Sequence, residues 1–143
     1  MARPESRSAG ALRSSGPTCD LLTQIPVQIG DSVAAVREAY GLEKEPEPYA
    51  AGEKGSLYDV AKYGVCLFFD NDQRVRTIRV TKPFAGKVRG AGIGDTKDEV
   101  LRVRNQPVRT FPFGRDTAWV YQEGGFVRYD FSPQDGRVVR IFM

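Results

Sequence analysis

The most constraining feature of the chain is that its second half repeats, in order, the motifs of its first half. Residues 29–32 read Ile-Gly-Asp-Ser and return at 93–96 as Ile-Gly-Asp-Thr. An apolar and aromatic run at 64–68 is matched at 125–129, and Arg-Val-x-x-Ile at 74–78 returns at 137–141. Only short gaps separate the matches. The sequence therefore predicts an internal duplication, which narrows the possible folds more than any single motif.

Each half is predicted to begin with a short amphipathic helix. Asp31 or Ser32 can cap the first helix, and Gly41 can end it. In the second half, Thr96 and Glu99 have the spacing of a capping box. Helices this short have to pack their apolar side against another element.

Three strands are predicted to follow each helix, because apolar and aromatic runs alternate with turn residues. Connections this short require antiparallel neighbours. The predicted fold class is α+β: two tandem α-β-β-β repeats, at 18–82 and 83–143, whose antiparallel sheets join into one layer with a helix from each repeat on one face. Residues 1–17 are small and polar, with almost nothing to bury, and are predicted to be a disordered tail.

Alignment of the two halves predicts which strand residues face the helices. Cys66 and Phe68 align with Val127 and Tyr129, which are apolar in both halves, and are expected to meet the helices. The opposite side would then hold Val65, Leu67 and Phe69 in the first half and Phe126, Arg128 and Asp130 in the second. Two interpretations stay open for Val65, Leu67 and Phe69: cover by the tail, by Leu21 and Leu22 or by the long loop 42–55, or an exposed patch for a partner.

Composition argues against catalysis. The chain contains no histidine, which removes the usual general base and most zinc sites, and it has two cysteines. The acidic residues Glu43, Glu45 and Glu47 lie in a proline-rich loop, which does not hold an acid–base pair rigidly. We therefore expect no enzyme activity, no metal and no cofactor.

Charge and hydropathy predict the compartment and exclude two kinds of partner. No apolar run approaches the length of a membrane span. The net charge of +3 is small, and arginines are interleaved with carboxylates, so no direct nucleic-acid partner is expected. The residues before Cys19 lack the apolar stretch of a secretion signal, which predicts a cytoplasmic protein.

The repeated unit, a Gly-Asp-Ser/Thr entry, a helix and an aromatic meander ending in Arg-Val-x-x-Ile, resembles the small helix-plus-sheet modules of the β-lactamase-inhibitor protein and of outer-membrane assembly lipoproteins. The resemblance covers residues 25–143. In the inhibitor, two such modules join their sheets into a concave surface that covers an enzyme's active site. The resemblance therefore implies a protein-binding inhibitor rather than an enzyme.

Together with the predicted cytoplasmic location, the resemblance predicts a bacterial immunity protein. Such a protein would neutralise a cytosol-acting toxin, such as a nuclease delivered by type VI secretion. The mechanism would be occlusion of the toxin's active or substrate-binding site. Two alternatives are an envelope-assembly module attached through Cys19 and a small-ligand or nucleic-acid-binding domain that uses the arginine-rich second half. The residues predicted to contact the partner are Glu47, Tyr49, Tyr58, Val65, Leu67, Phe69, Trp119, Arg128 and Asp130.

Overall fold

The protein, described by a computed structural model, is an α+β fold with one large antiparallel sheet of eight strands and two α-helices. The structure describes residues 20–49 and 55–143. The predicted tail at 1–17, Cys19 and the centre of the loop 42–55 lie outside the described residues.

The two helices begin and end at the residues that the sequence indicates. Helix α1 spans Val33–Tyr40, with Ser32 as the cap that accepts a hydrogen bond from the Ala35 N–H at 3.1 Å. Gly41 ends it in the left-handed conformation, at a φ of 67°. Helix α2 spans Lys97–Arg104 and has the predicted capping box of Thr96 and Glu99.

Ten strands follow in chain order: β1 (Glu47–Pro48), β2 (Ser56–Val60), β3 (Val65–Phe69), β4 (Val75–Val80), β5 (Lys87–Val88), β6 (Ala91–Gly92), β7 (Arg109–Phe113), β8 (Asp116–Tyr121), β9 (Val127–Phe131) and β10 (Val138–Phe142). The eight-stranded sheet has the order β1-β2-β3-β4-β10-β9-β8-β7. Strands β5 and β6 form a separate hairpin that leads into α2.

The two halves of the sheet meet at β4 and β10. Val80 pairs with Ile141, and Arg79 pairs with Phe142. The Ile78 and Met143 main chains exchange two further hydrogen bonds of 2.9 and 2.8 Å. The sheet is therefore continuous across its centre, as predicted.

The entry to each helix is fastened to the last strand of its own half by the same contacts. Arg74 Nη1 donates to the Gly30 carbonyl at 3.0 Å, and Arg137 Nη1 donates to the Gly94 carbonyl at 2.9 Å. The N–H groups of Gly30 and Gly94 each donate at 2.8 Å to the first residue of that strand. Both glycines have positive φ values, 96° and 93°, which side-chain-bearing residues rarely adopt.

The core lies between the helices and one side of the sheet, which we call the helix-covered face. Val36 of α1 and Val100 of α2 are fully buried in the same cluster as Leu67, Phe69 and Tyr129. Lys97 at the start of α2 lies over the Phe131 ring, with its Nζ 5.7 Å from the ring centre. The core therefore extends under both helices and across both halves of the sheet.

The prediction of which strand residues face the helices is wrong for β3. Val65, Leu67 and Phe69 lie on the helix-covered face and are at most 1% exposed, whereas Cys66 and Phe68 point to the other side. The reason is the turn: Val60 pairs with Val65 in the first half, but Tyr121 pairs with Val127 in the second, which makes that turn one residue longer. A one-residue slip exchanges the two faces of a strand. Val65, Leu67 and Phe69 thus belong to the core beneath the helices and do not form an exposed patch.

Proline stands in both edge strands of the sheet. Pro48 lies in β1 and Pro112 in β7. Proline lacks the N–H that a further strand would need, so it discourages the addition of another strand at an edge. A partner would accordingly meet a face of this sheet more readily than an edge.

The capping box of α2 gives a testable pH dependence. The Thr96 N–H donates to Glu99 Oε1 at 2.8 Å, and this hydrogen bond holds the pKa of Glu99 below its ordinary value of 4.5. A carboxylate with a lowered folded pKa stabilises the fold fully above its unfolded pKa and loses that contribution as the pH falls through the folded pKa. We expect Glu99→Gln to flatten the acid limb of the stability curve between about pH 3 and 5.

Urea unfolding at a series of pH values measures this effect. The native chain should lose stability faster than Glu99→Gln on acidification, and the two should converge at the acid end. Parallel curves over the whole range would contradict the role given to Glu99.

Candidate functional site

The side of the sheet away from the helices, which we call the outer face, carries a row of residues that crosses the centre of the sheet. The strand register places Cys66 beside Arg79, Arg79 beside Phe142 and Phe142 beside Arg128. Side chains directly opposite on neighbouring antiparallel strands are close enough to interact. The outer face thus alternates arginine with apolar or aromatic side chains across the junction of the two halves.

Four charged residues of the second half form an ion-pair network on this face, the Arg–Asp cluster of Asp116, Arg128, Asp130 and Arg140. Arg128 donates from Nε and Nη2 to the two carboxylate oxygens of Asp130, both at 2.8 Å. Arg140 donates from Nε to Asp130 Oδ2 at 3.0 Å and from Nη2 to Asp116. Asp130 is completely buried, so three charge-assisted hydrogen bonds compensate for its loss of water.

Arg140 remains a cation in this network. Desolvation alone would lower its pKa, but the hydrogen bonds from its guanidinium to Asp130 and Asp116 raise the pKa above its ordinary value. The cluster contains two positive and two negative side chains. The cluster therefore has little net charge, and it presents fixed dipoles to a partner.

Aromatic rings enclose the guanidinium of Arg128. Its central carbon lies 4.4 Å from the ring centre of Phe113, 4.2 Å from that of Phe142 and 5.4 Å from that of Phe111. Guanidinium groups stack on aromatic faces, and the contact is strengthened when water is excluded. Phe113 is 46% exposed, so this aromatic surface is open to a partner.

The first half contributes a second aromatic group to the outer face. Phe68 lies 6.0 Å from the Tyr49 ring and 5.6 Å from the guanidinium of Arg79. The Tyr49 hydroxyl donates to the Phe69 carbonyl at 3.2 Å and accepts from Arg76 Nη2 at 2.7 Å. These bonds hold the end of β1 against the sheet beside Phe68.

The structure separates the predicted contact residues into two groups. Val65, Leu67, Phe69 and Tyr58 are core residues, and the Tyr58 hydroxyl donates to the Lys44 carbonyl at 2.6 Å. Their assignment as contact residues is wrong, because the register error described above placed the core side of β3 outside. Trp119 is also on the helix-covered face, packed on Phe131 with 4.6 Å between ring centres and with Lys97 6.0 Å away.

The remaining predicted residues do lie outside the core cluster, and two of them meet. Arg128 and Asp130 form the centre of the Arg–Asp cluster. Tyr49 borders Phe68 on the outer face, and Glu47 is exposed in β1. Sequence reasoning missed the residues that complete the surface: Phe111, Phe113, Asp116, Arg140 and Phe142. Alternation along β7, in which Arg109, Phe111 and Phe113 share one side, was the signal for two of them.

Two buried tyrosines mark where α2 ends over the sheet. The Tyr121 hydroxyl donates to the Asn105 carbonyl at 2.9 Å, and the Tyr129 hydroxyl donates to the Val88 carbonyl at 2.6 Å. Burial raises the pKa of Tyr121 to about 12 and raises that of Tyr129 as well, although Arg104 opposes both shifts. Both phenols therefore stay neutral hydrogen-bond donors at neutral pH.

Cys66 is 3% exposed, and its burial raises the pKa of the thiol to about 11. At pH 8 about one thiol in a thousand would be ionised. In a Cys19→Ser variant, we expect iodoacetamide to modify Cys66 at least about 100-fold more slowly than it modifies a free cysteine, because the thiolate is the nucleophile. Urea at the unfolding midpoint should restore the rate. Rapid modification of the folded variant would show that the outer face opens at β3.

Metal coordination finds no support in the described segments. Across 20–49 and 55–143, no group of three or more histidine, cysteine, aspartate or glutamate residues could hold a metal ion. None of the helices in these segments is long and apolar enough to cross a bilayer.

No protein-family model matches this chain, and no curated protein is similar to it in sequence. Solved structures of similar fold include an extracellular protein containing an SCP domain from Bacillus anthracis, with a TM-score of 0.62 and 15% identity over 92% of this chain. The chain spans about half of that protein, 48% of its length.

A second solved structure of similar fold is a DUF4309 family protein from Bacillus subtilis, with a TM-score of 0.50 and 19% identity. The match covers 78% of this chain and 76% of the other. Both likenesses concern the fold alone. Neither structure belongs to the two families that the sequence resembles, so that resemblance stays a prediction.

Proposed function

We propose that this chain is a protein-binding module that contacts its partner through the outer face of the sheet. One observation carries the proposal: on the outer face, Arg128 lies between the rings of Phe113 and Phe142 and is held by buried Asp130. Arginine and aromatic side chains are the residue types most often responsible for binding energy at protein interfaces. A pre-arranged group of this kind loses little conformational entropy when it binds.

The pattern of open and closed surfaces supports binding by this face. The helices cover one side of the sheet, and prolines occupy both edge strands. The outer face remains, with Phe113 46% exposed at one side and Arg79 and Phe68 towards the other. A continuous sheet surface of this kind can occlude a site on a partner without chemistry of its own.

A tandem duplication would explain why equivalent hydrogen bonds join the helix entry to the last strand in both halves. We propose that the chain consists of two α-β-β-β units, each with one additional edge strand, β1 or β7, between its helix and its other three strands. The equivalent bonds from Arg74 to Gly30 and from Arg137 to Gly94 support this, as does the order of strands on either side of the β4–β10 junction.

The partner that we propose is a toxin or other enzyme acting in the cytosol, so that the chain would be its immunity protein. Glu47 is exposed in β1, an edge strand of the sheet. Tyr49 and Phe68 belong to the same half of the sheet. An acidic edge beside an apolar surface complements an enzyme that binds nucleic acid with basic residues, and it would speed the encounter.

Phe113→Lys tests the proposal. We expect this variant to melt like the native chain and to lose binding to the toxin-like product of an adjacent gene by at least about 100-fold, as removal of a central interface residue does. The matched control is Val103→Lys, a similarly exposed apolar residue (49%) on α2, which should bind normally. Equal binding by both variants would refute the outer face as the interface, and protection of cells by neither the native chain nor the control would refute the immunity role.

The second candidate is a structural envelope module. It is favoured by the extracellular location of the Bacillus anthracis protein with a similar fold. It requires attachment or export, which the mass of the mature N-terminus in the native cell decides. Lipid on Cys19 would support the envelope module, and an unmodified start at Met1 or Ala2 would oppose it.

A further inference from the structure

A cleft of about 980 Å³ opens beside the outer face, where five segments of the chain meet. One wall is the segment before α1, with Ile25, Val27 and Ile29. The opposite wall is the β8–β9 turn, with Phe126, and Phe142 belongs to the end of β10. Ile29 and Phe126 are 52% and 44% exposed at this cleft, so its apolar lining is open to an incoming molecule.

The charged side chains that line the cleft are all arginines: Arg76, Arg89 and Arg128. Arg128 is neutralised by Asp130, but the other two have only neutral partners among the described residues. Arg76 donates to the Tyr49 hydroxyl, and Arg89 donates to the Gly124 carbonyl. No carboxylate of the described segments forms an ion pair with either of them.

Arg89 is held at the cleft by its backbone and by the glycine turn. Its φ of 55° lies in the left-handed region, which a non-glycine residue seldom adopts. A Cβ at Gly124 would lie 3.1 Å from Arg89 Nη1, so the lack of a side chain at Gly124 leaves room for the Arg89 guanidinium. Arg89 is exposed, and this backbone conformation together with its hydrogen bond to the Gly124 carbonyl places the guanidinium at the cleft.

From this geometry we propose that the cleft binds a small amphiphilic anion, a molecule with one carboxylate or phosphate head and an apolar body. The two guanidiniums would take the head through charge-assisted hydrogen bonds. The apolar body would lie between Ile29 and Phe126. A volume of about 980 Å³ falls within the range of small-molecule sites, and apolar walls with a few polar groups are their usual lining. The cleft borders the protein interface proposed above and shares Arg128 and Phe142 with it, but the proposal of an anion site does not depend on that interface.

Octanoate and octyl phosphate are suitable probes, with 1-octanol and inorganic phosphate as matched controls that keep only the body or only the head. We expect both anions to bind with a dissociation constant below about 1 mM and to shift the backbone amides of 25–29 and 124–128 in NMR spectra. The two controls should bind at least about tenfold more weakly, because each lacks half of the interaction. Similar dissociation constants for octanoate and octyl phosphate would show that the cleft recognises the negative charge that both heads carry. Different constants would identify the preferred head group.

Two substitutions test whether the arginines of the cleft bind the anionic head. Arg76→Gln and Arg89→Gln should each weaken octanoate binding by about tenfold or more, whereas Arg102→Gln, on the exposed side of α2, should have no effect. The NMR shifts of the backbone amides in the native chain locate the binding site even if a variant is unstable. Shifts elsewhere, equal binding of 1-octanol, or tighter binding of an acidic peptide than of octanoate would each overturn the proposal, the last in favour of a protein segment.

Discussion

Asp130→Ala should lower the free energy of unfolding by about 3–5 kcal/mol, because it leaves two partly buried guanidiniums without their shared carboxylate. Asp130 is fully buried and accepts three hydrogen bonds, from Arg128 and Arg140. Among the described residues, the Asp130 carboxylate is also the one anion that pairs with Arg128 between its aromatic neighbours, and the substitution removes it. Chemical denaturation monitored by far-UV circular dichroism measures the change.

Asp116→Ala is the matched control for this prediction. Its carboxylate belongs to the same cluster, but within residues 20–49 and 55–143 Arg140 is its one ion-pair partner, and its side chain is 18% exposed, so water can replace part of the lost contact. We expect a loss of about 1 kcal/mol or less. Equal effects of the two substitutions would show that the buried carboxylate is not the centre of the cluster.

Phe69→Ala should be equally destabilising, by about 3–5 kcal/mol, because it empties a fully buried site. Phe69 is 0% exposed and makes an edge-on contact with Tyr58, with 5.7 Å between the ring centres. Phe69→Lys should fail to fold, since the lysine ammonium would be buried among the apolar residues of the described core cluster. Thermal melting and expression of soluble protein report both results.

Phe113→Ala serves as the comparison for Phe69→Ala, since it removes the same side chain from the outer face. Phe113 is 46% exposed, and its principal contact is the Arg128 guanidinium. The expected loss is about 1 kcal/mol or less. A folded Phe69→Lys together with an unfolded Phe113→Lys would reverse the assignment of the two faces.

Much of the local structure could be predicted because its signals lie close together in the sequence. Ser32, Gly41 and the pair of Thr96 and Glu99 define both helices through contacts that span a few residues. The other six strands of the eight-stranded sheet, inside its two edge strands, follow from apolar alternation between turns. The two edge strands were not predicted, because β1 has two residues and β7 contains Pro112, which argues against a strand.

The candidate site could be predicted only in part, because it depends on cross-strand register. Arg128 and Asp130 stand on one strand and were found together. Arg140 and Phe142 join them only through the pairing of β10 with β9, and Phe113 only through the pairing of β7 with β8. One additional residue in the β8–β9 turn was enough to place the core side of β3 on the wrong face. The cleft draws on five segments and has no local signal at all.

The most direct test of the account is hydroxyl-radical footprinting of the folded chain, read by mass spectrometry for individual phenylalanines. We predict that Phe113 is oxidised readily, while Phe69 and Phe131 are protected until the protein unfolds, because they are at most 1% exposed. Oxidation of Phe69 at a rate comparable with that of Phe113 would contradict the central claim that the outer face, and not the β3 side beneath the helices, is the surface open to a partner.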